Sequence, residues 1–196
     1  MIFAKAPVAG SVKSRLAREL GVAMATRFAR QCAQALFARV AFDRRWETMI
    51  AETPFAHSRR FWPAGIGRCT QGLGDLGERM QRIMASVPPG PLVIVGTDIP
   101  AIRAAHIAQA FRALGRHDAV FGPAADGGYW LVGLRRRPSI PKPFCAVRWS
   151  SRHALADTVA NLKDRNVALL AVLGDVDNAQ DFFASAHCFG RRVLPP

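Results

Sequence analysis

The sequence predicts one three-layer α/β domain with a mostly parallel sheet. Short apolar runs, typical of strands, alternate with amphipathic stretches, typical of helices, along the 196 residues. The run at 92–95 is continuous, apolar and β-branched, as expected of a strand covered on both faces. No internal repeat or change of composition marks a second domain. Residues 1–196 are therefore expected to form a single domain, long enough to bury a full core.

In the first half of the chain, strands are predicted where short apolar runs lie between turn residues, at 1–4, 47–51 and briefly at 60–63. Helices are predicted where apolar residues recur with a helical period, at 16–20, 22–42 and 76–85. Gly21 ends the first helix, and Asp75 caps the third. The Gly-rich passage 65–77 lacks a G-x-G-x-x-G between a strand and a helix, so no dinucleotide fingerprint is predicted.

In the second half, residues 102–114 are amphipathic and predict a helix. Strands are predicted at 118–122 and 129–134, helices at 152–164 and 179–186, and a last strand at 167–173. Parallel strands joined through helices place the carboxyl ends of those strands at one edge of the sheet, where ligands of open α/β sheets bind.

The chain is basic, with 27 Lys and Arg against 14 Asp and Glu and a formal net charge of +13. Most of these cations are arginines spread along the chain, without a basic run interleaved with aromatic residues. An anionic small-molecule substrate and a solvated basic surface explain this charge, and nucleic acid is not the expected partner.

The remaining composition excludes several classes of protein. No stretch approaches the ~18 consecutive apolar residues of a membrane span, and the N-terminus does not have the pattern of a signal peptide, so a cytoplasmic protein is expected. The cysteines form no C-x-x-C pair and the histidines no H-E-x-x-H, so a zinc site is not predicted. No feature of the sequence predicts an oligomeric state.

Asp98 is the first candidate for chemistry. It follows Thr97 just past the end of the strand predicted at 92–95, which is where a ligand-binding carboxylate is expected. Alternatively, Asp98 caps a helix that begins near Ala101.

The loop at 5–15 is the candidate phosphate-binding segment. Pro7 and Gly10 predict a loop, and Lys5, Lys13 and Arg15 supply the cations that a polyphosphate requires. Gly10 is separated from Lys13 by two residues, so the segment is not a P-loop. A solvated basic loop is the alternative interpretation.

Three further groups of residues complete the candidate site. Asp126 is followed by two glycines, and Tyr129 and Trp130 are expected to stack beside whatever it holds, although an Asp-Gly hairpin turn is the alternative. Asp175 and Asp177 follow the last strand, and either reaches a cation shared with Asp98 or caps the last helix. Gln71 and its neighbouring glycines are candidates to approach a base or sugar through their backbone.

Four stretches together resemble one family. They are FAKAPVAGSVKSRLA (3–17), QGLGDLGERM (71–80), GTDIPAI (96–102) and GPAADGGYWLVGL (122–134). In this order and spacing they resemble the small bacterial GT-A-like nucleotide-diphospho-sugar transferases, and the resemblance extends to DVDN at 175–178. The resemblance implies a Rossmann-like GT-A fold related to the molybdenum-cofactor and phospholactate guanylyltransferases.

The resemblance also implies roles for individual residues. Lys13 and Arg15 would surround the nucleotide phosphates, Asp98 would bind the metal, and Asp126 with Gly127 and Gly128 would face the sugar or acceptor. Gly96 departs from the pattern, because the D-x-D of a glycosyltransferase has an acid there. The chain also begins so close to its first strand that this strand is expected to be clipped.

The leading hypothesis is a glycosyltransferase that uses a nucleoside-diphosphate-sugar donor and Mg²⁺ or Mn²⁺. Asp98 and Asp126 are the expected catalytic residues, and Asp98 and Asp177 the expected metal ligands. The residues expected to contact the nucleotide or its sugar are Lys5, Pro7, Gly10, Lys13, Arg15, Gln71, Thr97, Gly127, Gly128 and Tyr129. The alternatives are nucleotidyl transfer with release of pyrophosphate, and a non-catalytic basic binding protein.

Overall fold

The computed structural model describes residues 1–53 and 61–188. These residues form a seven-stranded sheet flanked by helices. The strands are β1 (Ile2–Lys5), β2 (Met49–Thr53), β3 (Gly67–Thr70), β4 (Leu92–Gly96), β5 (Ala119–Pro123), β6 (Tyr129–Leu134) and β7 (Val167–Leu169). The helices are α1 (Ser14–Leu20), α2 (Val22–Val40), α3 (Leu76–Ser86), α4 (Ala104–Leu114), α5 (Ala154–Ala160) and α6 (Ala179–Ala184), with a 3₁₀ turn at Ser185–Cys188.

The order of the strands in the sheet is β3-β2-β1-β4-β6-β5-β7. The pairs among β1, β2, β3 and β4 are parallel, and β5 pairs in parallel with β7. Strand β6 is antiparallel to both β4 and β5, so these two strands run in the same direction. The predicted mostly parallel sheet is confirmed, and the carboxyl ends of every described strand except β6 lie at one edge. This edge is called the carboxyl edge below.

The sheet is covered on both faces, as the apolar run of β4 predicted. Val93 and Val95 face one core cluster, which contains residues of α2 and α4, and Ile94 faces the other, which contains residues of α3. A smaller cluster joins α1, α2 and α6 through Leu16, Phe28 and Phe182. The chain thus has the three layers of a Rossmann-like α/β fold, and the small cluster attaches α1 beside the carboxyl edge.

Several predicted elements differ in their bounds. The strand predicted near 60–63 is wrong where it is described, because residues 61–63 form a turn, while residue 60 lies outside the described residues. The edge strand β3 lies instead within the Gly-rich passage. Its burial is only partial and its sequence, Gly-Arg-Cys-Thr, has no apolar alternation, so no periodic signal indicated it.

Two predicted elements near the C-terminus are shorter than expected. Helix α5 spans Ala154–Ala160 rather than 152–164, and β7 ends at Leu169. Beyond β7 the chain keeps one parallel bridge, from Leu173 to Ala124. This bridge holds the segment that carries Asp175 and Asp177 against the loop that carries Asp126. Within the described residues, no helix has the length and apolar character that crossing a membrane requires.

Candidate functional site

Asp98 lies at the carboxyl edge, two residues beyond the end of β4. Its side chain is 65% exposed, so the carboxylate is open to a ligand. The alternative role as a helix cap does not apply, because α4 begins at Ala104 and its N-cap residue is Arg103.

The loop after β1 turns back on itself before α1 begins. The Ser11 hydroxyl donates to the carbonyl of Val8 at 2.8 Å, and Gly10 has a φ of +77°. Lys13 then precedes α1 in the left-handed conformation, with a φ of 48°. Its side chain is only 6% exposed, so this lysine is buried rather than solvated.

Lys13 and Arg15 contact the carboxylates of the site directly. The Lys13 Nζ lies 3.6 Å from Asp177 Oδ1 and 4.0 Å from Asp98 Oδ1. The Arg15 Nη1 donates to Asp177 Oδ2 at 2.9 Å. Lys13, Arg15, Asp98 and Asp177 are called the charge cluster below. The structure therefore brings together the residues predicted for phosphate and for metal.

Asp177 belongs to this cluster and does not cap α6. The N-cap of α6 is Asn178, which forms a capping box with Asp181. The backbone N–H of Asp177 donates to Asp181 at 3.0 Å, and the Asp177 carboxylate faces the two cations. The N–H of Ala179 donates to Glu19 of α1 at 2.8 Å, which ties the start of α6 to the helix beside Lys13.

Asp175 lies near the same charges. Burial raises the pKa of its carboxyl, the charge of Asp177 raises it further, and Lys13 opposes this shift while Asp126 adds to it. The site thus contains more carboxyl groups than Asp98 and Asp177 alone.

The loop of Asp126, Gly127 and Gly128 joins β5 to β6. The Asp126 Oδ1 accepts the N–H of Gly128 at 2.8 Å, and Gly127 has a φ of +86°. A Cβ on Gly127 would lie 2.3 Å from the carbonyl oxygen of Arg152, so only glycine fits against this backbone. The hairpin interpretation accounts for the backbone here, and the exposed Asp126 side chain remains at the carboxyl edge.

The two aromatic residues after this loop face opposite sides of the sheet. The ring of Tyr129 packs edge-on against Phe121 and Trp149, and burial raises the pKa of its hydroxyl. Trp130 is buried on the other face, where its Nε1 donates to the carbonyl of Ala171 at 3.2 Å. The expectation that both rings stack beside a ligand is wrong for Trp130, because alternate strand residues point to opposite faces.

Gln71 contributes to the architecture of the edge. Its Nε2 donates to the carbonyls of Ala4 at 3.2 Å and Ala51 at 2.9 Å, and its Oε1 accepts from Arg79 at 2.9 Å. The buried amide thus ties the carboxyl ends of β1 and β2 together. In the following Gly72 to Gly74 tip, the N–H of Gly72 donates to the Thr70 hydroxyl at 3.1 Å, and Leu73 is 89% exposed.

A buried acid at the end of β2 was not predicted. Glu52 is fully buried and accepts hydrogen bonds from Trp62 Nε1 and, at 3.4 Å, from Arg68. The only signal in the sequence is an acidic residue inside a strand, which by itself indicates an exposed side chain.

The remaining predicted contact residues lie on the same edge. Lys5 ends β1 with an exposed side chain, Pro7 accepts from Arg30 at 3.4 Å, and Thr97 adjoins Asp98. The carboxyl edge thus carries the charge cluster near β1 and β4, with the Gln71 loop on one side and the Asp126 loop on the other.

The two carboxylates of the charge cluster could bind a divalent cation only if substrate and water supplied its other ligands. Among residues 1–53 and 61–188, no group of three metal-ligating side chains exists. Asp98 and Asp177 nevertheless both lie within 4.0 Å of the Lys13 Nζ, so the two carboxylates are directed toward the same position. Mg²⁺ in proteins is often bound by one or two carboxylates, with substrate phosphates and water as the other ligands. The donor set fits that pattern.

The mostly parallel sheet, covered by helices on both faces, defines a Rossmann-like α/β domain. The chain belongs to the family described as "Uncharacterized protein conserved in bacteria (DUF2064)", which it matches over residues 32–151. No curated protein matches the chain.

Solved structures share this fold. A protein of Desulfovibrio desulfuricans G20, provisionally described as a nucleotide-diphospho-sugar transferase, is 27% identical with a TM-score of 0.87, over 97% of this chain and 87% of that one. Two more distant structures share the fold at 10% identity and a TM-score of 0.54. One is the 4-diphosphocytidyl-2C-methyl-D-erythritol synthase of Anaerococcus prevotii, matched over 94% of this chain and 95% of that one. The other is the molybdopterin-guanine dinucleotide biosynthesis protein A of Archaeoglobus fulgidus, matched over 94% of this chain and 96% of that one. The resemblance stated from the four motifs is confirmed.

Proposed function

We propose that the protein is a metal-dependent glycosyltransferase that takes its sugar from a nucleoside-diphosphate donor. The observation that carries this proposal is the charge cluster, in which Lys13 and Arg15 meet Asp98 and Asp177 at the carboxyl edge. The similarity to the Desulfovibrio protein supports the choice of donor.

The cations of the cluster suit a reaction whose leaving group is a diphosphate. Negative charge grows on the diphosphate as the bond to the sugar breaks, and Lys13 and Arg15 would stabilise that charge. Lys13 is held in place by burial, so it loses little freedom when it contacts a phosphate. A divalent ion bound by Asp98 and Asp177 would act as a Lewis acid toward the same diphosphate.

Asp126 would act on the other reactant. One of its oxygens accepts the Gly128 N–H, which fixes the direction of the carboxylate, and the side chain is exposed at the carboxyl edge. A carboxylate fixed in this way is suited to orient a sugar hydroxyl or to take the proton of an acceptor hydroxyl.

A second candidate function is nucleotidyl transfer, in which a phosphorylated or carboxylated small molecule attacks a nucleoside triphosphate and pyrophosphate leaves. Gly96 favours it, because this position lacks the first acid of a D-x-D pair. The space above Gly96 is open, with nothing within 4 Å of an added Cβ, so steric hindrance does not explain the missing acid.

The products distinguish the two reactions. We would incubate the protein and Mn²⁺ with a panel of nucleotide sugars and nucleoside triphosphates, after a thermal-shift screen selects the nucleotides that bind. Glycosyl transfer releases a nucleoside diphosphate, whereas nucleotidyl transfer releases pyrophosphate. If no nucleotide stabilises the protein and DNA binds with a steep salt dependence, the non-catalytic alternative replaces both.

A further inference from the structure

The Lys13 ammonium lies between the two carboxylates that would hold a divalent cation. The Lys13 Nζ lies 4.0 Å from Asp98 Oδ1 and 3.6 Å from Asp177 Oδ1, and the lysine side chain is only 6% exposed. Asp98 itself is 65% exposed. The ammonium therefore lies beneath an open carboxylate and is not extended toward solvent.

We infer that Lys13 is the resident counter-ion of Asp98 and Asp177, and that it transfers to the substrate's diphosphate when a divalent cation enters. Cation and nucleotide then bind as a coupled pair, each weakly without the other. This inference rests on the proposed function, because it assumes a diphosphate substrate.

Repulsion between like charges explains why a metal alone binds weakly. Mg²⁺ lies about 2.1 Å from its carboxylate oxygens. An ion at that distance from Asp98 or Asp177 would be close to the Lys13 ammonium, whose repulsion is strong in a partly dehydrated site. The Lys13 ammonium has to move away before the ion can bind both carboxylates. Because the Lys13 side chain is buried, water is not available to solvate the ammonium after it moves.

A diphosphate supplies the new partner. It brings negative charge to the mouth of the site, where Lys13 and Arg15 would contact it, and the carboxylates are then free for the ion. Asp98 and Asp177 have then lost their resident cation, so the vacated cluster attracts the ion. Thermodynamic linkage makes the effect reciprocal, because each ligand strengthens the binding of the other by the same factor.

The first test measures Mn²⁺ binding without nucleotide, by electron paramagnetic resonance of the free ion. We expect Lys13→Met to bind Mn²⁺ at least about tenfold more tightly than the wild type, which is a typical coupling between two sites. Asp98→Asn added to Lys13→Met should remove this gain. A folded Lys13→Met variant that binds Mn²⁺ no better than the wild type would overturn the inference.

Arg15→Gln is the matched control, because it also removes one positive charge from the cluster. Arg15 is 69% exposed and, of the two carboxylates, contacts only Asp177. The gain in Mn²⁺ affinity in this variant should therefore be less than about threefold. An equal gain in both variants would show that only net charge matters, and would contradict the specific role of Lys13. Lys13→Arg, which keeps the charge, should bind Mn²⁺ as weakly as the wild type. Lys13→Gln replaces Lys13→Met if the latter does not fold.

The second test measures binding of UDP and GDP to the wild type by calorimetry, with and without Mn²⁺. We expect Mn²⁺ to strengthen nucleotide binding at least about tenfold, and Lys13→Met to lose most of this coupling. Mn²⁺-independent binding would contradict the inference and leave the proposed function standing. If no nucleoside diphosphate or triphosphate binds the wild type under either condition, the proposed function itself fails, whatever Lys13→Met does with Mn²⁺.

Discussion

Arg15 donates a 2.9 Å hydrogen bond to Asp177, across 162 residues of chain. The contact joins the first loop of the protein to the segment that follows its last strand. Both lie at the carboxyl edge because β1 and β7 run in the same direction within one sheet, although they lie far apart in strand order. The fold, and not sequence proximity, assembles the charge cluster.

Asp177→Asn should impair function far more than stability. The variant removes one carboxylate charge from the cluster, but Asp98 remains near the Lys13 ammonium and the Arg15 side chain is 69% exposed. We therefore expect a loss of less than about 1 kcal/mol in the free energy of unfolding. Transfer activity should fall by at least about tenfold, because the metal that would bind the diphosphate loses a carboxylate ligand. Urea denaturation and a product assay measure the two effects.

Asp43→Asn is the control for that variant. Asp43 also pairs with an arginine, Arg45, at 2.6 Å, but in the turn between α2 and β2. Its loss should leave transfer activity unchanged. Equal loss of activity in both variants would show that Asp177 acts through general stability.

Asp98→Ala should abolish the effect of Mn²⁺ on nucleotide binding. Asp98 makes a 4.0 Å contact to Lys13 and its side chain is largely exposed, so the fold does not depend on it. Thermal-shift titration of a nucleotide with and without Mn²⁺ is the measurement, since ligand stabilisation scales with the logarithm of concentration over Kd. Unchanged metal-dependent binding in the variant would remove Asp98 from the proposed site.

Much of the fold was predictable because local sequence patterns determine many of its helices and strands. The buried run at 92–95, the helical period of 22–42 and the cap at Asp75 each have a direct physical meaning, and the structure contains all three. Strand β3 was not predictable, since its pairing with β2 and not its own apolar pattern makes it a strand.

The site was predictable as a set of residues but not as an arrangement. The parallel sheet predicted Asp98 and Asp177 at strand ends, and Asp98 lies just beyond β4. Asp177 lies well past the end of β7 at Leu169, although its carboxylate reaches the same edge. The burial of Lys13 was not predictable. It depends on the left-handed conformation of Lys13 and on the small cluster that packs α1 against α2 and α6, and α6 is distant in sequence. The buried amide of Gln71 likewise depends on the carbonyls of two strands that are remote in sequence.

Gly127→Ala should destabilise the protein by roughly 2 kcal/mol or more. The residue adopts a φ of +86°, which costs a non-glycine residue of order 1–3 kcal/mol, and the new Cβ would meet the backbone of Arg152 at 2.3 Å. Urea denaturation gives the difference. Gly174→Ala is the matched control, because nothing lies within 4 Å of a Cβ there, and it should change stability by less than about 0.5 kcal/mol. A similar loss in both variants would contradict the steric explanation.

Arg136→Met should also destabilise the fold. The buried Arg136 guanidinium donates to the carbonyls of Met84 at 2.7 Å, Val87 at 3.0 Å and Pro88 at 2.6 Å, at the end of α3. Methionine would leave these acceptors without that donor, at a cost of roughly 2–4 kcal/mol.

Arg137→Met is the comparison for Arg136→Met. The exposed Arg137 donates once, to Pro89 at 3.2 Å, so its loss should cost less than about 0.5 kcal/mol. Chemical denaturation of both variants provides the measurement. Equal stability of the two variants would show that water can hydrogen-bond the carbonyls at the end of α3 when Arg136 is absent.

Asp157→Asn should lower stability at neutral pH but not in acid. Arg148 donates side-chain hydrogen bonds at 2.7 and 2.9 Å and a backbone hydrogen bond at 3.0 Å to Asp157, and these bonds lower the pKa of its carboxyl below the ordinary 3.8. A lowered pKa means that the unfolded chain binds the proton first as the pH falls. The stabilisation is therefore present above pH 3.8 and is lost as the pH falls toward the lower pKa of the folded state. Denaturation curves of wild type and variant between pH 7 and the acid limit should converge below pH 3.8. A constant difference at every pH would show that packing, and not the ionised carboxylate, accounts for the effect of the substitution.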